Sequence, residues 1–597
     1  MIKNWNELTP IEREAMEFLL HHGCNGVQAQ KFLEEYCQPL PEGFDPVEYI
    51  KENAYVLYLR EVIPFDTAER IEKDRGAYTS NRVMVIRILA TLHDRIGKYM
   101  ENTGSVWGNA EQLIAEVMED LHIVNGNSEE KKKPIYDAIN QCPENLNLII
   151  KQKGEEKYIT WYRCAKREET IACGVRNMLY RNSAVSSEIA TMTMEREGRD
   201  LLAYLDEDQK EAVRTAVSSK ISIIAGGPGT GKSFVIKTIS DLISKIKPEC
   251  KIKLMASTGK AAQNLQEKSG YAAKTIHHEL RIVDGMGYEG CLQNSFIAVD
   301  EMSMVDEKLM ETLVNKINYY NCQLVLVGDP DQLPSVGAGA VLRDLIQSGR
   351  IPVCYLNNCH RQREGSGIIK AASLIRQGNS EIDNTDDFQM ETCNSEDVLV
   401  EKFILQYEKG VECYGLQQVM GLVATHGGKM GDINLNHVLQ ERLNPERDEN
   451  AVYSLQDGNE LRVGDRVIHT NHNLDDVKNG EIGHVIAVEK SETSTVVKVQ
   501  YKNGLDGNKE VFYHDEECED LKLAYVITIH KAQGSQCKCV IMGLKKDCRL
   551  NTRNLLYTGI TRAEEQCFLY VNGTDTLKKT IENPILDQRI TFLSELI

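Results

Sequence analysis

A glycine-rich segment at residues 226–233, GGPGTGKS, has the composition and spacing of a loop that binds phosphate. Apolar residues at 221–225 predict a buried strand before it, and Val235 and Ile239 continue at helical spacing after it. Between a strand and a helix, glycines turn backbone N–H groups onto phosphate oxygens, and the helix N-terminus adds partial positive charge. We therefore predict that the chain binds and hydrolyses a nucleoside triphosphate.

Two further elements complete the predicted nucleotide site. Lys232 would reach the β- and γ-phosphates, and Ser233 would bind Mg²⁺. The apolar stretch 296–299 predicts a strand that ends in Asp300, a second Mg²⁺ ligand, and Glu301, which would polarise the attacking water. The residues expected to contact the nucleotide are Gly227, Pro228, Gly229, Thr230, Gly231, Lys232, Ser233 and Phe234.

Four side chains outside the loop are candidates for sensing the nucleotide. Gln209 lies near the start of a predicted helix, where its amide could recognise adenine. Gln332 follows a predicted strand in a loop rich in Gly, Pro and Asp, and it could sense the γ-phosphate. Arg361 and Arg562 could stabilise charge on the γ-phosphate from a facing domain, and the alternative for each is a surface ion pair.

Hydroxyl-bearing turns after predicted strands are candidates for contact with a sugar–phosphate backbone. Ser257 and Thr258 follow a strand predicted at 252–256, and Thr275 opens a similar turn before His277. The alternative for these hydroxyl groups is a plain helix cap.

Length, charge and cysteine content limit the class of protein. The 597 residues require roughly three to five domains. The net charge of −20 argues against strong non-specific binding of duplex nucleic acid, but it does not decide the charge of one channel. Seventeen cysteines without a C-x-x-C pair predict scattered reduced thiols, with a metal or redox role for Cys537 and Cys539 as the alternative. The chain has no apolar run of about 18 residues and begins without a signal segment, so we expect a cytoplasmic protein without a membrane partner.

Three parts of the chain lie outside the predicted nucleotide site. Residues 1–105 predict a helical domain that either packs as a scaffold or forms DNA-binding hairpins. The turn at 62–65 lacks the glycines that such hairpins use, which favours packing. Residues 106–200 predict helices with a two-stranded wing. Asn-Gly turns between apolar stretches at 457–523 predict a small inserted β-barrel.

Eight segments, taken in order, resemble the helicase motifs of the RecD-like branch of superfamily 1: GGPGTGKS, ASTGKAAQNL, TIHHEL, VDEMSMVD, GDPDQLPSVGAGAVLRDLI, HRQ, ITIHKAQGSQ and LYTGITRA. The resemblance covers about 205–597, and the N-terminal third more weakly resembles the extension of stand-alone bacterial RecD-like helicases. It implies an α/β fold with two RecA-like P-loop domains built on parallel sheets, at 201–355 and at 356–456 with 524–597. It also implies that the barrel at 457–523 is SH3-like.

The resemblance implies roles for individual residues as well. ATP and Mg²⁺ would lie between the two domains, with Gln209 at adenine and with Gln332, Arg361 and Arg562 at the γ-phosphate. Single-stranded DNA would lie across both domains, next to a short strand-splitting hairpin at 281–295. The residues expected along the DNA are Ser257, Thr258, Lys260, Thr275, His277, Thr528, His530 and Lys531.

The implied function is that of an ATP-dependent DNA helicase that moves 5′→3′ on single-stranded DNA and acts at single/double-strand junctions in repair or recombination. The alternative is a DNA-dependent ATPase subunit of a larger nuclease or defence assembly, which would need a protein partner and would not unwind DNA by itself. RNA stays open as a substrate. One departure is Gln536, where the family usually has Glu, and it affects the nucleotide contact expected there.

The substitution Lys232→Ala tests the nucleotide site. Without the ammonium group that pairs with the β- and γ-phosphates, we expect DNA-stimulated ATP hydrolysis to be abolished. Phosphate release by the purified chain measures this, and unchanged turnover would refute the assignment of the loop.

Overall fold

A computed structural model describes residues 8–37, 44–75, 81–121, 135–137, 139, 148–181, 192, 196, 202–283, 286–287, 291–360, 365–445, 452–455, 459–470, 477, 479–490, 494–503 and 507–597. The chain divides into two compact units, one of residues 1–168 with 337–339 and one of residues 169–336 with 340–597. Within the described ranges, we find no helix with the length and apolar character needed to cross a bilayer.

The first unit is mainly helical, as predicted, and it carries a small antiparallel sheet of order β1-β3-β2. The side chains of Val62 and Ile63, in the turn before α4, are buried, which fits the packing interpretation of this region. Its elements are α1 (Pro10–His21), α2 (Gly26–Tyr36), α3 (Pro46–Leu59), α4 (Phe65–Arg75), α5 (Asn81–Thr103), β1 (Gly108–Asn109), α6 (Ala110–Asp120), β2 (Leu148–Lys153) and β3 (Glu156–Trp161), and α7 (Tyr162–Leu179) continues into the second unit.

Residues 202–356, called the first domain here, form a six-stranded sheet of order β11-β4-β10-β9-β5-β6. Every strand pair in it is parallel, and apolar clusters cover both faces, as parallel sheets require. Its elements are α8 (Glu207–Ser218), β4 (Ile221–Gly226), α9 (Lys232–Ile246), β5 (Lys251–Ala256), α10 (Gly259–Ser269), β6 (Ala273–Thr275), α11 (Ile276–Glu279), β7 (Ile282–Val283), β8 (Met286–Gly287), β9 (Ser295–Asp300), α12 (Glu307–Lys316), β10 (Gln323–Gly328), α13 (Val341–Gln347) and β11 (Val353–Leu356).

The remainder of the second unit holds a second parallel sheet and the predicted barrel. Its elements are α14 (Gly367–Arg376), β12 (Phe388–Cys393), α15 (Glu396–Tyr414), β13 (Val419–Val423), α16 (Asp432–Leu443), β14 (Val452–Ser454), β15 (Glu460–Arg462), β16 (Arg466–His469), β17 (Ile482–Lys490), β18 (Thr495–Asn503), β19 (Gly507–His514), β20 (Leu521–Leu523), β21 (Val526–Thr528), β22 (Cys537–Leu544), α17 (Arg553–Ile560), β23 (Ala563–Asn572), α18 (Thr576–Ile581), α19 (Ile585–Gln588) and α20 (Leu593–Leu596).

The second domain, residues 365–445 with 524–597, has a five-stranded sheet of order β12-β23-β22-β13-β21 in which every pair is parallel. Apolar clusters again cover the sheet, so the predicted α/β fold with two parallel sheets is confirmed. Helix α16 starts at Asp432, after Gly428 (φ 87°) has bent the chain. Cys537 and Cys539 are buried, and neither forms a disulfide.

The barrel, residues 459–523, is an antiparallel sheet of order β19-β18-β17-β16-β20 with its own apolar core, which confirms the predicted insertion. A turn in which Gly464 adopts φ 98° separates β15 from β16. Strands β19 and β20 carry no alternating apolar pattern strong enough to have been predicted.

A buried carboxylate fastens the barrel to the second domain. Asp465 accepts hydrogen bonds from Gln440 Nε2 (2.6 Å), Asn444 Nδ2 (2.8 Å), the Arg462 backbone N–H (2.7 Å) and the Tyr525 hydroxyl (2.7 Å). Gln440 lies on α16, and Tyr525 immediately precedes β21, so these bonds connect the barrel to two elements of the sheet domain. Burial raises the pKa of Asp465, and the donors around it act in the opposite direction.

We expect Asp465→Asn to destabilise the chain by about 2–4 kcal/mol. The amide NH2 group of asparagine is itself a donor, so it cannot accept the hydrogen bonds that the carboxylate of Asp465 accepts from buried donors. The apparent melting temperature of the purified chain measures this loss. Asp397→Asn is the matched control, since that carboxylate is exposed and pairs only with Lys429 in the structure's described part. Equal melting temperatures for the two variants would contradict the role of Asp465.

Candidate functional site

The phosphate loop joins β4 to α9, as the sequence predicts. Gly229 and Gly231 adopt left-handed backbone, with φ of 80° and 83°. A Cβ at Gly231 would lie 2.4 Å from Gln209 Nε2, so a larger residue does not fit there. Among the described residues, no side chain caps the N-terminus of α9. Its N–H groups are therefore left for an anion.

Lys232 lies folded over the loop. Its Nζ donates to the backbone oxygens of Gly226 (2.6 Å) and Gly227 (2.9 Å). Thr230 Oγ1 donates to the same Gly227 oxygen at 2.9 Å. A phosphate group in this pocket would offer the ammonium stronger, charged acceptors than these two carbonyl groups.

Strand β9 delivers Asp300 and Glu301 to the same pocket. Burial, and then the charge of Glu301, raise the pKa of Asp300 to about 6, while Lys232 opposes this rise. Glu301 adopts left-handed backbone (φ 54°), which is rare for a residue with a Cβ and concentrated at functional sites. A buried carboxylate whose ionised form is disfavoured, in one pocket with the Ser233 hydroxyl, fits a divalent cation such as Mg²⁺.

One cavity of about 420 Å³ collects these groups and is lined from both sheet domains. Arg562 reaches it from the second domain, in the turn after α17. Its buried guanidinium donates to the backbone oxygens of Thr558 (3.0 Å) and Ser535 (3.3 Å). The lining residues are Pro228, Gly229, Thr230, Gly231, Lys232, Ser233, Phe234, Ala261, Asn264, Leu265, Lys268, Asp300, Glu301, Gln332, His360, Gly534, Gln536 and Arg562.

Three of the predicted nucleotide residues, Gln209, Gly227 and Arg361, are not among those lining groups. Gly227 lies directly behind them, where its carbonyl binds Lys232. Arg361 falls outside the described residues, so its contact with the nucleotide stays a prediction. Sequence reasoning in turn missed Asn264 and Lys268, which lie on α10, because neither belongs to a recognisable phosphate-binding pattern.

Gln209 supports the phosphate loop from behind. Its Nε2 donates to the Thr230 backbone oxygen (3.0 Å), and its Oε1 accepts from the Asp206 backbone N–H (3.2 Å). Asp206 in turn caps α8 by accepting from the Gln209 backbone N–H at 2.8 Å. The amide thus holds the loop in this structure, and its contact with adenine stays a prediction.

The loop after β10 contains a buried carboxylate that both domains contact. Asp329 Oδ2 accepts from Gln332 Nε2 (3.2 Å) in the same loop and from the Tyr557 hydroxyl (3.0 Å) on α17. Burial, with the nearby Asp329 charge, raises the pKa of Tyr557, so the phenol keeps its proton and donates it. Gln332 Oε1 is buried next to the cavity and has no hydrogen-bond partner among the described residues. No role was predicted for Tyr557 from the sequence. The only indication that it belongs to the site is its position five residues before Arg562.

Three further hydrogen bonds cross between the domains at this loop. Leu333 N donates to Thr558 Oγ1 (2.8 Å), and Leu333 O accepts from Gln533 Nε2 (3.1 Å). Asn554 Nδ2 donates to the Asp331 backbone oxygen at 2.9 Å. Both of the second domain's helicase-like segments therefore hold the backbone of one loop.

A larger groove, of about 1400 Å³, collects seven of the eight residues predicted along DNA. Thr528 is the exception, since its side chain is buried at the end of β21 and does not line the groove. The barrel contributes part of the wall. The lining residues are Lys253, Ser257, Thr258, Gly259, Lys260, Lys274, Thr275, His277, His278, Glu279, Arg281, Ile282, Met304, Val336, Ile468, Thr470, Asn479, Gly480, His530, Lys531, Gln533 and Ser535.

The groove is basic although the chain is acidic. Among its described lining residues, five are lysine or arginine and one, Glu279, is acidic. Lys253 and Lys274, which sequence reasoning missed, both lie near Glu279. The predicted alternative for the hydroxyl groups also holds, because Thr258 and Thr275 cap α10 and α11. A cap and a contact with nucleic acid are compatible, since a hydroxyl group offers both a donor and acceptors.

The hairpin predicted at 281–295 is described only in part. Strands β7 and β8 pair antiparallel, with Ile282 opposite Gly287. Residues 284–285 and 288–290 lie outside the described ranges, so a strand-splitting role stays a prediction.

Three family models match the chain. Residues 204–393 match an AAA domain, residues 435–501 match an ATP-dependent RecD-like DNA helicase SH3 domain, and residues 523–570 match a UvrD-like helicase C-terminal domain. The order of these matches follows the order of the first domain, the barrel and the last part of the second domain.

Two relatives agree with these matches. The chain is 27% identical to the ATP-dependent RecD2 DNA helicase of Deinococcus radiodurans, over 95% of this chain and 76% of that protein. It is 29% identical to the RecBCD enzyme subunit RecD of Mycolicibacterium smegmatis, over 60% of this chain and 69% of that protein. A solved structure of the Pif1 helicase from Candida albicans has a TM-score of 0.40 and 20% identity, and the alignment covers 63% of this chain and 98% of that one. Together, the family models and the two relatives show that this chain is similar to RecD-like DNA helicases across both sheet domains and the barrel.

Proposed function

We propose that this chain couples ATP hydrolysis to 5′→3′ movement on single-stranded DNA and thereby unwinds duplexes at single/double-strand junctions. One observation carries the proposal. The cavity that holds Lys232, Asp300 and Glu301 of the first domain also holds Arg562 of the second domain. Such a seam lets a nucleotide change the relation between the two domains, which is what a motor needs.

Each side chain in the cavity has a place in ATP hydrolysis. Lys232 and the N–H groups of α9 bind phosphate, and Ser233 with Asp300 would hold Mg²⁺, which shields the charge that develops on the phosphates. Glu301 takes a proton from the attacking water. The unpartnered Gln332 Oε1 is an acceptor suited to orienting that water.

Arg562 stabilises the γ-phosphate from the second domain. When the γ-phosphate leaves after hydrolysis, Arg562 loses this partner and the cavity opens. The loop that carries Gln332 transmits this change, because Tyr557 and Thr558, which lie five and four residues before Arg562, bind it. The same loop ends at Val336, which lines the groove. A change at the phosphate therefore reaches the groove through nine residues of backbone, 328–336.

The groove supports DNA as the ligand. Lysine and histidine side chains on both domains, with hydroxyl groups between them, suit a phosphodiester backbone. The Deinococcus relative is described as a DNA helicase, and the mycobacterial one as a subunit of an enzyme, so we also propose that a protein partner in repair or recombination can join this chain.

Duplexes with a single-stranded tail test direction and unwinding together. We expect ATP-dependent strand displacement from a 5′-tailed duplex at least about tenfold faster than from a 3′-tailed one. Release of a fluorescent strand by the isolated chain measures both rates, with an RNA competitor and Lys232→Ala as controls. Stimulated ATPase activity without displacement from either duplex would favour the partner-dependent ATPase instead.

Tyr557→Phe tests coupling across the seam. Loss of one buried hydrogen bond to Asp329 should lower kcat for DNA-stimulated ATP hydrolysis about tenfold. Tyr204→Phe is the matched control, since Tyr204 is 83% exposed. Steady-state ATPase kinetics measure the effect, and equal kcat values for both variants would contradict a role for the hydroxyl.

A further inference from the structure

The last part of the chain, residues 584–597, is called the strap here, and it runs from the second domain to the core of the first. Just before it, Asn583 binds the second domain through its backbone oxygen, which accepts from Arg553 N (2.9 Å), and through Nδ2, which donates to Asn551 O (3.0 Å). At the other end, Leu593 is fully buried in a core cluster of the first domain. The strap is therefore held at both ends.

Arg343, on α13 of the first domain, fastens the middle of the strap. Its guanidinium donates to Thr591 Oγ1 (2.8 Å), to the Arg589 backbone oxygen (3.2 Å) and to the Leu586 backbone oxygen. The buried carboxylate of Asp344 accepts from Arg343 Nη2 at 2.7 Å and holds the guanidinium in place. Three contacts to one short segment fix the direction in which its own side chains point.

The Arg589 side chain points from the strap to the loop that joins the nucleotide cavity to the groove. Its Nη2 donates to the Ser335 backbone oxygen at 2.7 Å, and its Nη1 to Ser335 Oγ at 3.4 Å. Ser335 stands between Gln332, which lines the cavity, and Val336, which is 85% exposed in the groove. Arg589 itself is buried and does not line the groove.

Burial removes the charged guanidinium of Arg589 from water, which is energetically unfavourable. Burial, with the charge of Arg343, lowers the pKa of Arg589 to about 10. The Arg589 charge in turn contributes, after burial and His426, to a lowered pKa of His530 in the groove wall. A methionine or leucine side chain would fill this site without that cost. A guanidinium that donates to Ser335 therefore indicates that Arg589 positions this loop and does not only fill space.

We propose that Arg589 is a positioning residue for nucleic-acid binding, which holds the Ser335–Val336 backbone of the first domain in the shape that the groove requires. The inference rests on the proposed function only in that the groove binds single-stranded nucleic acid. It assigns to the strap a task that neither the nucleotide cavity nor the groove lining reveals.

Arg589→Gln in the full chain tests this inference. We expect the dissociation constant for a fluorescent oligothymidylate to rise about tenfold, since a charged hydrogen bond to a buried carbonyl oxygen is lost. We expect the KM for ATP to stay within about twofold, because the nucleotide cavity keeps its own contacts. Fluorescence anisotropy and steady-state ATPase assays measure the two quantities. Arg549→Gln, an exposed arginine of the same domain, is the matched control.

Salt dependence separates positioning from direct contact. A buried arginine that touches no phosphate leaves the slope of log affinity against log salt unchanged, whereas a phosphate contact would lower it by about one. We expect an unchanged slope for Arg589→Gln and a partial loss of affinity for Arg589→Lys, whose single amine cannot reach both Ser335 atoms. A reduced slope, or wild-type affinity in either variant, would overturn the inference.

A second variant covers the case in which Arg589→Gln does not fold. Val336→Ser changes only an exposed side chain, so its fold is expected to survive. We expect Val336→Ser to weaken oligothymidylate binding. The double variant Val336→Ser with Arg589→Lys should bind no more weakly than Val336→Ser alone, because both substitutions act on the same segment. Fully additive losses would overturn the inference. Binding by the wild-type chain in the same assay tests the groove itself, so failure of the proposed function is seen separately.

Discussion

Buried polar groups must find partners, and in this molecule that requirement links the two sheet domains. The loop after β10 presents a carboxylate, backbone N–H groups and backbone oxygens at the seam. Water cannot serve them there, so Tyr557, Thr558, Asn554 and Gln533 of the second domain do. Because the same loop holds Gln332 at the cavity, the contacts that stabilise the seam are also the contacts that a nucleotide would disturb. Under the proposed function, stability and coupling would thus depend on the same hydrogen bonds.

The charged residues are distributed unevenly over the surface. A net charge of −20 would repel nucleic acid if it were spread evenly, yet the described groove wall carries a clear excess of lysine and arginine. Under the proposed function, acidic residues elsewhere would oppose non-specific binding of duplexes, while the basic groove would attract a strand that can enter it. Net charge and local charge therefore answer different questions about partners.

The sequence was most informative where function depends on neighbours along the chain. The strand, loop and helix around Gly231 form one continuous segment, so spacing alone located the phosphate site and the acids after β9. The resemblance to RecD-like helicases likewise implied both parallel sheets. Contacts between distant segments could not be predicted in this way. Tyr557 contacts Asp329, and Arg589 contacts Ser335, each more than 200 positions away in the chain. Thr528 shows the converse limit, since the side chain of a residue inside a recognised motif is buried in the structure, and its contact with DNA stays a prediction.

The barrel's attachment has a consequence for the groove. Asp465 anchors it at its base, and most of its core is its own, while Ile468, Thr470, Asn479 and Gly480 line the groove. One wall of the groove thus comes from an inserted domain that contributes no residue to the nucleotide cavity. Under the proposed function, substitutions in this wall would change which strands enter without altering the residues that hydrolyse ATP.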